Sequence, residues 1–165
     1  MFHVKQRPSR EEKERKAMNK DYMFKALEYA EKAGISGDVP VGAVIVRNGE
    51  IIAEGRNRRE EAGDPTAHAE IEAIKKAAER LGGWHLDDCE LYVTLEPCPM
   101  CAGAIINSRI KKVVFGAFEP KSGACSSDSV VNLFGLPFNH SPEVYGGICE
   151  KECAEIMTKF FKDKR

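Results

Sequence analysis

The chain has 165 residues, a length typical of one domain, and 42% of them are apolar, enough for a hydrophobic core. Charged residues reach 31%, but the formal net charge is only −1, so attraction to nucleic acid would have to come from local basic patches. No apolar run approaches the length of a membrane span, and Met1–Lys20 lacks the apolar core of a signal peptide. The composition therefore predicts no membrane partner.

Six cysteines raise the question of disulfide bonds. The length, the missing signal segment and the ordinary core argue against a small secreted fold held by disulfides, and they favour a reducing cytoplasm. Cys89, Cys149 and Cys153 lie among apolar residues in strand or helix patterns, which predicts buried small hydrophobic side chains.

The chain divides into a short arm and one domain. Residues 1–18 are rich in both charges, and we interpret them as a solvated terminus in preference to an arm that contacts RNA. Residues 19–165 contain no repeat, low-complexity tract or linker, which predicts a single domain.

The first half of the domain predicts a helix followed by an antiparallel hairpin. Its predicted elements are a helix from residue 19 to Gly34 or Gly37, a strand over Val41–Val46, a turn at Asn48-Gly49 and a strand over Glu50–Gly55. Asn57 lies just beyond the second strand, where residue type alone favours a turn residue over a group that reads a base edge.

A second helix is predicted to start at Asp64-Pro65-Thr66 and to end at Gly82-Gly83. Its apolar stripe comprises Ile71, Ile74, Ala78 and Leu81. His68 and Glu70 point about 200° apart around a helix, so they can share a pocket only at the helix tip.

The second half predicts alternating strands and helices. Its predicted elements are a central strand over Leu91–Leu95, a helix from Pro97 to Ser108, a strand over Lys112–Phe115, a loop with a short helix over Glu119–Asn139, a strand at Val144-Tyr145 and a helix over Glu150–Lys162. The stripe Cys153, Ile156, Met157, Phe160 and Phe161 is interpreted as core packing. The order predicts an α/β fold with a five-stranded mixed sheet and helices on both faces.

One pair of motifs indicates a metal site. Cys98 and Cys101 lie on one face at a helix start, and with His68 they supply three ligands that suit Zn²⁺ and leave one tetrahedral position open. The alternatives are a redox pair and a structural zinc site. A structural site would need a fourth ligand, and neither Cys125 nor His85 has motif spacing.

His-x-Glu together with Pro-Cys-x-x-Cys is identified as the signature of zinc-dependent nucleobase deaminases. In that chemistry a zinc-activated hydroxide attacks a ring carbon that carries an amino group. Glu70, which is not a ligand, moves the water's proton to the ring nitrogen and to the leaving ammonia.

Longer stretches closely resemble bacterial tRNA-specific adenosine deaminases. They are Asp64–Ile71, Leu91–Ala104, Val113–Ala117, Val39–Val44 with Gly55 and Asn57, Asn139-His140 and Phe160-Phe161. The resemblance implies a three-layer α-β-α cytidine deaminase-like fold, a homodimer, and deamination of adenosine to inosine at the wobble position of a tRNA anticodon loop.

By motif, the resemblance implies one Zn²⁺ per chain on His68, Cys98 and Cys101, with Glu70 as the catalytic proton shuttle. It further implies substrate contacts from Asn57, Ala69 and Glu119, although Glu119 stands where relatives carry Asp. Arg56, Arg58 and Arg59, with Lys162, Lys164 and Arg165, are the local basic groups available to RNA.

Two competing functions remain open at this point. The first is a free-base or nucleotide deaminase of the same superfamily, acting on guanine or deoxycytidylate, because the Pro97–Ala104 string does not separate these enzymes from the tRNA enzymes. The second is a non-catalytic zinc module that only binds RNA. Glu70 argues against this module, because binding alone needs no proton shuttle.

Overall fold

The computed structural model describes residues 9–10 and 20–164, so most of the predicted arm and the start of the first helix lie outside the described residues. The elements are α1 Lys20–Ile35, β1 Gly42–Arg47, β2 Glu50–Arg56, α2 Arg59–Ala62, α3 Ala69–Leu81, β3 Cys89–Leu95, α4 Pro99–Ser108, β4 Lys112–Ala117, β5 Glu143–Gly146 and α5 Glu150–Asp163. A short 3₁₀ helix, Leu133–Gly135, lies in the loop between β4 and β5. Among the described helices, none combines the length and apolarity that a bilayer span requires.

The five strands form one mixed sheet in the order β2-β1-β3-β4-β5. β1 runs antiparallel to both β2 and β3, whereas β3, β4 and β5 run parallel to one another. The hairpin turn places Asn48 and Gly49 in the left-handed region, as an Asn-Gly turn between paired strands requires. The predicted five-stranded mixed sheet is confirmed.

Side chains alternate between the two faces of the sheet, and each face carries its own core. One core joins Ile45, Val93 and Phe115 to α3 and α4. The other joins Val44 and Val114, among others, to α1 and α5. The predicted three-layer α-β-α architecture is therefore confirmed.

Two predicted helix starts were wrong by a few residues. α3 begins at Ala69, because Asp64 instead closes a turn by accepting hydrogen bonds from the backbone and hydroxyl of Thr66. α4 begins at Pro99, with Cys98 as its N-cap and Pro99 in its first turn. In both cases the shift moves a predicted ligand to the cap position of the helix.

The predicted apolar stripe of α3 is correct only in part. Ile74 and Leu81 pack against the core but are partly exposed, and the buried line of that helix consists of Ala69, Ala73 and Ala77 with Glu70. Small side chains lie there because the helix crosses the sheet in backbone contact with Gly55. A Cβ at Gly55 would collide with the carbonyl oxygen of Ala69.

The core packing predicted for the α5 stripe is confirmed only in part. Cys153 is buried in one core and Met157 packs against the other, whereas 48% of Phe161 is exposed. Cys89 is fully buried, as predicted, whereas Cys149 is only half-buried.

Gly42 plays the same part beneath α1 that Gly55 plays beneath α3. A Cβ at Gly42 would collide with the carbonyl oxygen of Ala26 and the amide nitrogen of Ala30. Neither atom can move away cheaply, because both belong to helix backbone.

We predict that Gly42→Ala lowers the free energy of unfolding by about 1–3 kcal/mol, because the added methyl group forces α1 away from the sheet. Gly83→Ala is the matched control, since a Cβ there meets nothing within 4 Å. Chemical denaturation of the two variants measures the difference, and equal stability would show that α1 does not lie against β1 as closely as described.

Candidate functional site

The start of β1 and the ends of β2, β3 and β4 meet at one edge of the sheet. Strand register sets this arrangement, because Gly42 pairs with Arg56 and Leu95 pairs with Ala117. Residues just beyond these strand ends therefore face a common space, as is usual at the carboxyl edge of an α/β sheet.

Three predicted ligands converge at this edge. His68 caps α3, Cys98 caps α4, and Cys101 lies in the first turn of α4. His68 Nδ1 lies 3.6 Å from Cys98 Sγ and 3.5 Å from Cys101 Sγ. The prediction that two helix tips aim these side chains at one point is confirmed.

The donor set and its spacing fit zinc. Ligands at zinc-bond lengths of about 2.0–2.3 Å in a tetrahedron lie about 3.5 Å apart, which agrees with the measured sulfur–nitrogen distances. Within residues 20–164, the potential metal ligands that group here are these three alone, with their ligand atoms within 4.8 Å of one another. Three protein ligands leave one tetrahedral position for water or substrate, as in a catalytic zinc site.

The electrostatics of the cluster favour a thiolate. The pKa of Cys98 is lowered to about 4, chiefly because Cys101 donates a hydrogen bond to its sulfur and secondarily because of His68. The pKa of Cys101 is raised, because it is the donor of that bond and is buried. The pKa of His68 is raised by its hydrogen bond to Cys98.

Glu70 lies beside the cluster without belonging to it. It occupies the first turn of α3, and only 4% of it is exposed. Burial raises the pKa of its carboxyl group. A buried carboxyl with a raised pKa, next to an open metal position, has the properties of a general acid–base group.

The cluster opens into a cavity of about 440 Å³. Its lining combines apolar and polar side chains, which are Val39, Val41, Asn57, Arg59, His68, Ala69, Glu70, Leu95, Glu96, Cys98, Glu119, Pro120, Lys121, Ser122, Met157 and Phe161. Residues of α2, α3, β3 and α5 contribute to this lining, together with the chain just before β1, after β2, before α4 and after β4, so the cavity forms only in the folded domain. Its size lies within the range of small-ligand sites.

Asn57 makes the turn contact that residue type favours and also lines the cavity, while its reading of a base edge stays a prediction. Its Oδ1 accepts a hydrogen bond from the backbone of Arg59 at 3.2 Å, which is the local turn bond. The same residue lines the cavity and is 7% exposed. Because the oxygen is engaged in the turn, the amide NH₂ is the part of the side chain available to donate to a ligand.

The two other predicted substrate contacts differ in accessibility. Ala69 borders the cavity but is fully buried. Glu119 lies at the mouth, where its Oε1 accepts a hydrogen bond from the backbone of Lys121 at 2.9 Å. The contribution of either residue to substrate binding stays a prediction.

The alternative ligands lie elsewhere. His85 is exposed, stacks on Trp84 and lies 3.3 Å from a carboxylate oxygen of Asp87. The Cys125 thiol lies 3.6 Å from the carbonyl oxygen of Pro97 and is not part of the ligand cluster. All six cysteines are free thiols.

Two buried carboxylates that organise the cavity were missed by sequence reasoning. Asp38 is 1% exposed and accepts hydrogen bonds from the backbone of Glu60 and Glu61, which holds the short helix α2 beside Asn57. Glu96 is 4% exposed and binds the loop after β4. The sequence gives only a weak indication that these two carboxylates are buried, namely that each lies next to an apolar strand.

Comparison with known proteins identifies the family. The zinc-binding region of cytidine and deoxycytidylate deaminases matches residues 16–117. A tRNA-specific adenosine deaminase of Bacillus subtilis (strain 168) is 51% identical over 144 residues, which cover 87% of this chain and 89% of the relative. The chain belongs to the tRNA-specific adenosine deaminases. The matched region includes the whole ligand cluster and Glu70.

Solved structures agree with this family assignment. A structure from a study of A-to-I editing by tRNA:A34 deaminases has a TM-score of 0.80 and 47% identity, covering 84% of this chain and 99% of that one. A guanine deaminase from Bacillus subtilis reaches a TM-score of 0.59 at 48% identity, but it covers only 61% of this chain and 66% of its own. The likeness to the tRNA-specific adenosine deaminases thus extends over more of the domain.

We predict that Cys98→Ala purifies with far less than one zinc ion per chain, because two remaining ligands hold the metal poorly. Cys149→Ala is the control, since this half-buried thiol lies at the start of α5 and outside the cluster. Metal analysis of both proteins checks the prediction, and full zinc occupancy in Cys98→Ala would remove Cys98 from the ligand set.

Proposed function

We propose that this chain hydrolyses adenosine to inosine at the wobble position of a tRNA anticodon loop. The observation that carries the proposal is the presence, in one cavity, of an open three-ligand metal site and a buried carboxyl group that is not a ligand. Family membership supports the substrate class, because the relatives are tRNA-specific adenosine deaminases.

His68, Cys98 and Cys101 would hold the zinc ion. When bound, zinc supplies Lewis acidity that makes a water molecule nucleophilic at neutral pH. The N-terminus of α4, which carries both cysteines, favours their thiolate forms, because its backbone N–H groups stabilise negative charge.

Glu70 would perform the proton transfers. It takes a proton from water, delivers a proton to the purine ring nitrogen, and protonates the departing amino group. Adenosine and water are thereby converted to inosine and ammonia. Burial keeps the pKa of Glu70 raised, which brings its proton affinity closer to that of the groups it serves.

Asn57 would orient the base through its free amide NH₂ group. The cavity of about 440 Å³ accepts one base extruded from an RNA loop. Extrusion is cheaper from an anticodon loop than from a duplex, because loop bases are already unpaired.

The basic residues predicted to contact RNA lie in different surroundings. Arg56 and Arg58 both lie within ion-pair distance of Glu61, which partly neutralises them. Arg59 and Lys121 line the cavity, and we assign phosphate contacts to them.

Of the basic residues predicted at the C-terminus, Lys162 is exposed on α5, whereas Lys164 is engaged within the fold. Lys164 donates a hydrogen bond to the carbonyl oxygen of Gly37 and lies 4.6 Å from the ring centroid of Phe160. Arg165 lies outside the described residues.

Three further properties belong to the same proposal. The RNA substrate and the six free thiols support a location in the reducing cytoplasm. The family resemblance supports a homodimer. The two cores, which share one continuous sheet, support a single domain over residues 19–165.

We predict that Glu70→Gln retains zinc and fold but loses turnover by a factor of about 10²–10⁴, because the amide cannot transfer the proton. Glu79→Gln, an exposed position on the same helix, is the control. Single-turnover rates and metal analysis are the measurements. A wild-type rate in Glu70→Gln would move the proton role elsewhere, and lost zinc would make Glu70 a ligand.

The substrate is tested by comparing a tRNA that carries adenosine at the wobble position with free adenosine, guanine and deoxycytidylate. We predict fast inosine formation in the tRNA and poor turnover of free adenosine, because remote RNA contacts supply orientation that the nucleoside lacks. Faster deamination of guanine or deoxycytidylate, with no inosine in the tRNA, would replace the proposal by the free-base or nucleotide alternative. Binding without any deamination would favour the non-catalytic module.

A further inference from the structure

Glu96 lies between β3 and the zinc-ligand cysteines, and its buried carboxylate binds one loop at several points. Oε1 accepts a hydrogen bond from the backbone of Glu119 at 3.1 Å. Oε2 accepts one from the backbone of Cys125 at 3.1 Å and another from the hydroxyl of Ser129. These three donors come from the segment Glu119–Ser129, which follows β4 and contains no regular helix or strand.

The segment is fitted closely around this carboxylate. A Cβ at Gly123 would collide with Oε1 of Glu96 and with the backbone carbonyl oxygen of Glu119, so only glycine allows the loop to pass there. The neighbouring Pro97 adds a further tie, because its carbonyl oxygen accepts a hydrogen bond from the backbone of Ala124 at 3.0 Å.

The segment that Glu96 holds in place lies at the entrance to the cavity. Its first four residues, Glu119 to Ser122, line the mouth of the cavity. Glu96 also lines the cavity, two residues before the zinc ligand Cys98. One extended stretch of chain therefore carries a metal ligand and fixes the wall past which a substrate must enter.

A carboxylate is needed at this position. Both oxygens of Glu96 accept bonds, and a buried charge is stable only when such donors surround it. A glutamine would turn an NH₂ group toward at least one N–H or O–H donor, so it would lose bonds and introduce repulsion at one end of the loop.

We infer that Glu96 is a positioning residue that shapes the Glu119–Ser129 loop for tRNA binding. The inference rests on the proposed function, since it assigns a residue to binding of the proposed substrate. Glu96 acts through the loop, because among the described residues its carboxylate hydrogen-bonds to Glu119, Cys125 and Ser129 and not to the metal ligands or Glu70.

The test compares Glu96→Gln with Ser129→Ala and with the exposed-surface control Glu79→Gln. In Glu96→Gln we expect faster hydrogen–deuterium exchange at the amides of Glu119 and Cys125, with one zinc ion per chain retained. We expect KM for the tRNA to rise roughly tenfold, as loss of a charge-assisted hydrogen bond implies, while kcat changes much less. Ser129→Ala keeps both backbone bonds and should show a smaller rise in KM.

Unchanged exchange and unchanged KM in Glu96→Gln would overturn the inference. A purely structural role would lower the active fraction and hence kcat, without raising KM. Should Glu96→Gln fail to fold, Ser129→Ala still tests the inference. If Ser129→Ala has the wild-type KM and the wild-type hydrogen–deuterium exchange in the loop, the proposed role of Glu96 in holding the loop is contradicted. Absence of inosine with the wild-type protein would refute the proposed function, whereas the exchange data would still decide whether Glu96 holds the loop.

Discussion

The site depends on two helix N-termini that meet at one edge of a mixed sheet. α3 and α4 both begin there, because the strands β2 and β3 end there and loops return the chain to the same face. The cap of one helix is His68 and the cap of the other is Cys98, which brings an imidazole within 3.6 Å of a thiol. Backbone N–H groups at the helix starts favour the negative charge that zinc binding requires of cysteine. A shift of either helix along the sheet would separate the ligands. The close backbone contact between Gly55 and α3 therefore helps to hold His68 in position.

Two buried carboxyl groups, Glu70 and Glu96, line the cavity, and a third, Asp38, holds α2 beside it. Their partners suit the three groups to different tasks. Asp38 and Glu96 each accept backbone N–H bonds, which tie a neighbouring segment to the domain. Glu70 lies beside the metal ligands, and the dominant influence on it is burial, which favours its protonated form. Asp38 and Glu96 therefore hold the cavity in shape, whereas Glu70 can exchange a proton.

Much of this arrangement could be predicted from the sequence. Turn chemistry at Asn48-Gly49 and the alternation of strands and helices led to the correct sheet, and motif spacing led to the correct ligand cluster. The apolar stripe of α3 was predicted only in part. Ile74 and Leu81 pack at the margin of the core, whereas close packing on Gly55 selects alanine for the buried line. Glu96 could not be recognised, because its three donors lie about 23 to 33 positions away and meet it only in the folded loop.

The most direct test of the account is the zinc K-edge X-ray absorption spectrum of the purified protein. A catalytic centre built on His68, Cys98 and Cys101 predicts two sulfur scatterers at about 2.3 Å and two nitrogen or oxygen scatterers at about 2.0 Å, of which one is exchangeable. Three sulfur scatterers, or two imidazoles, would show that Cys125 or His85 completes a closed structural site. That result would contradict the open position on which the proposed chemistry depends.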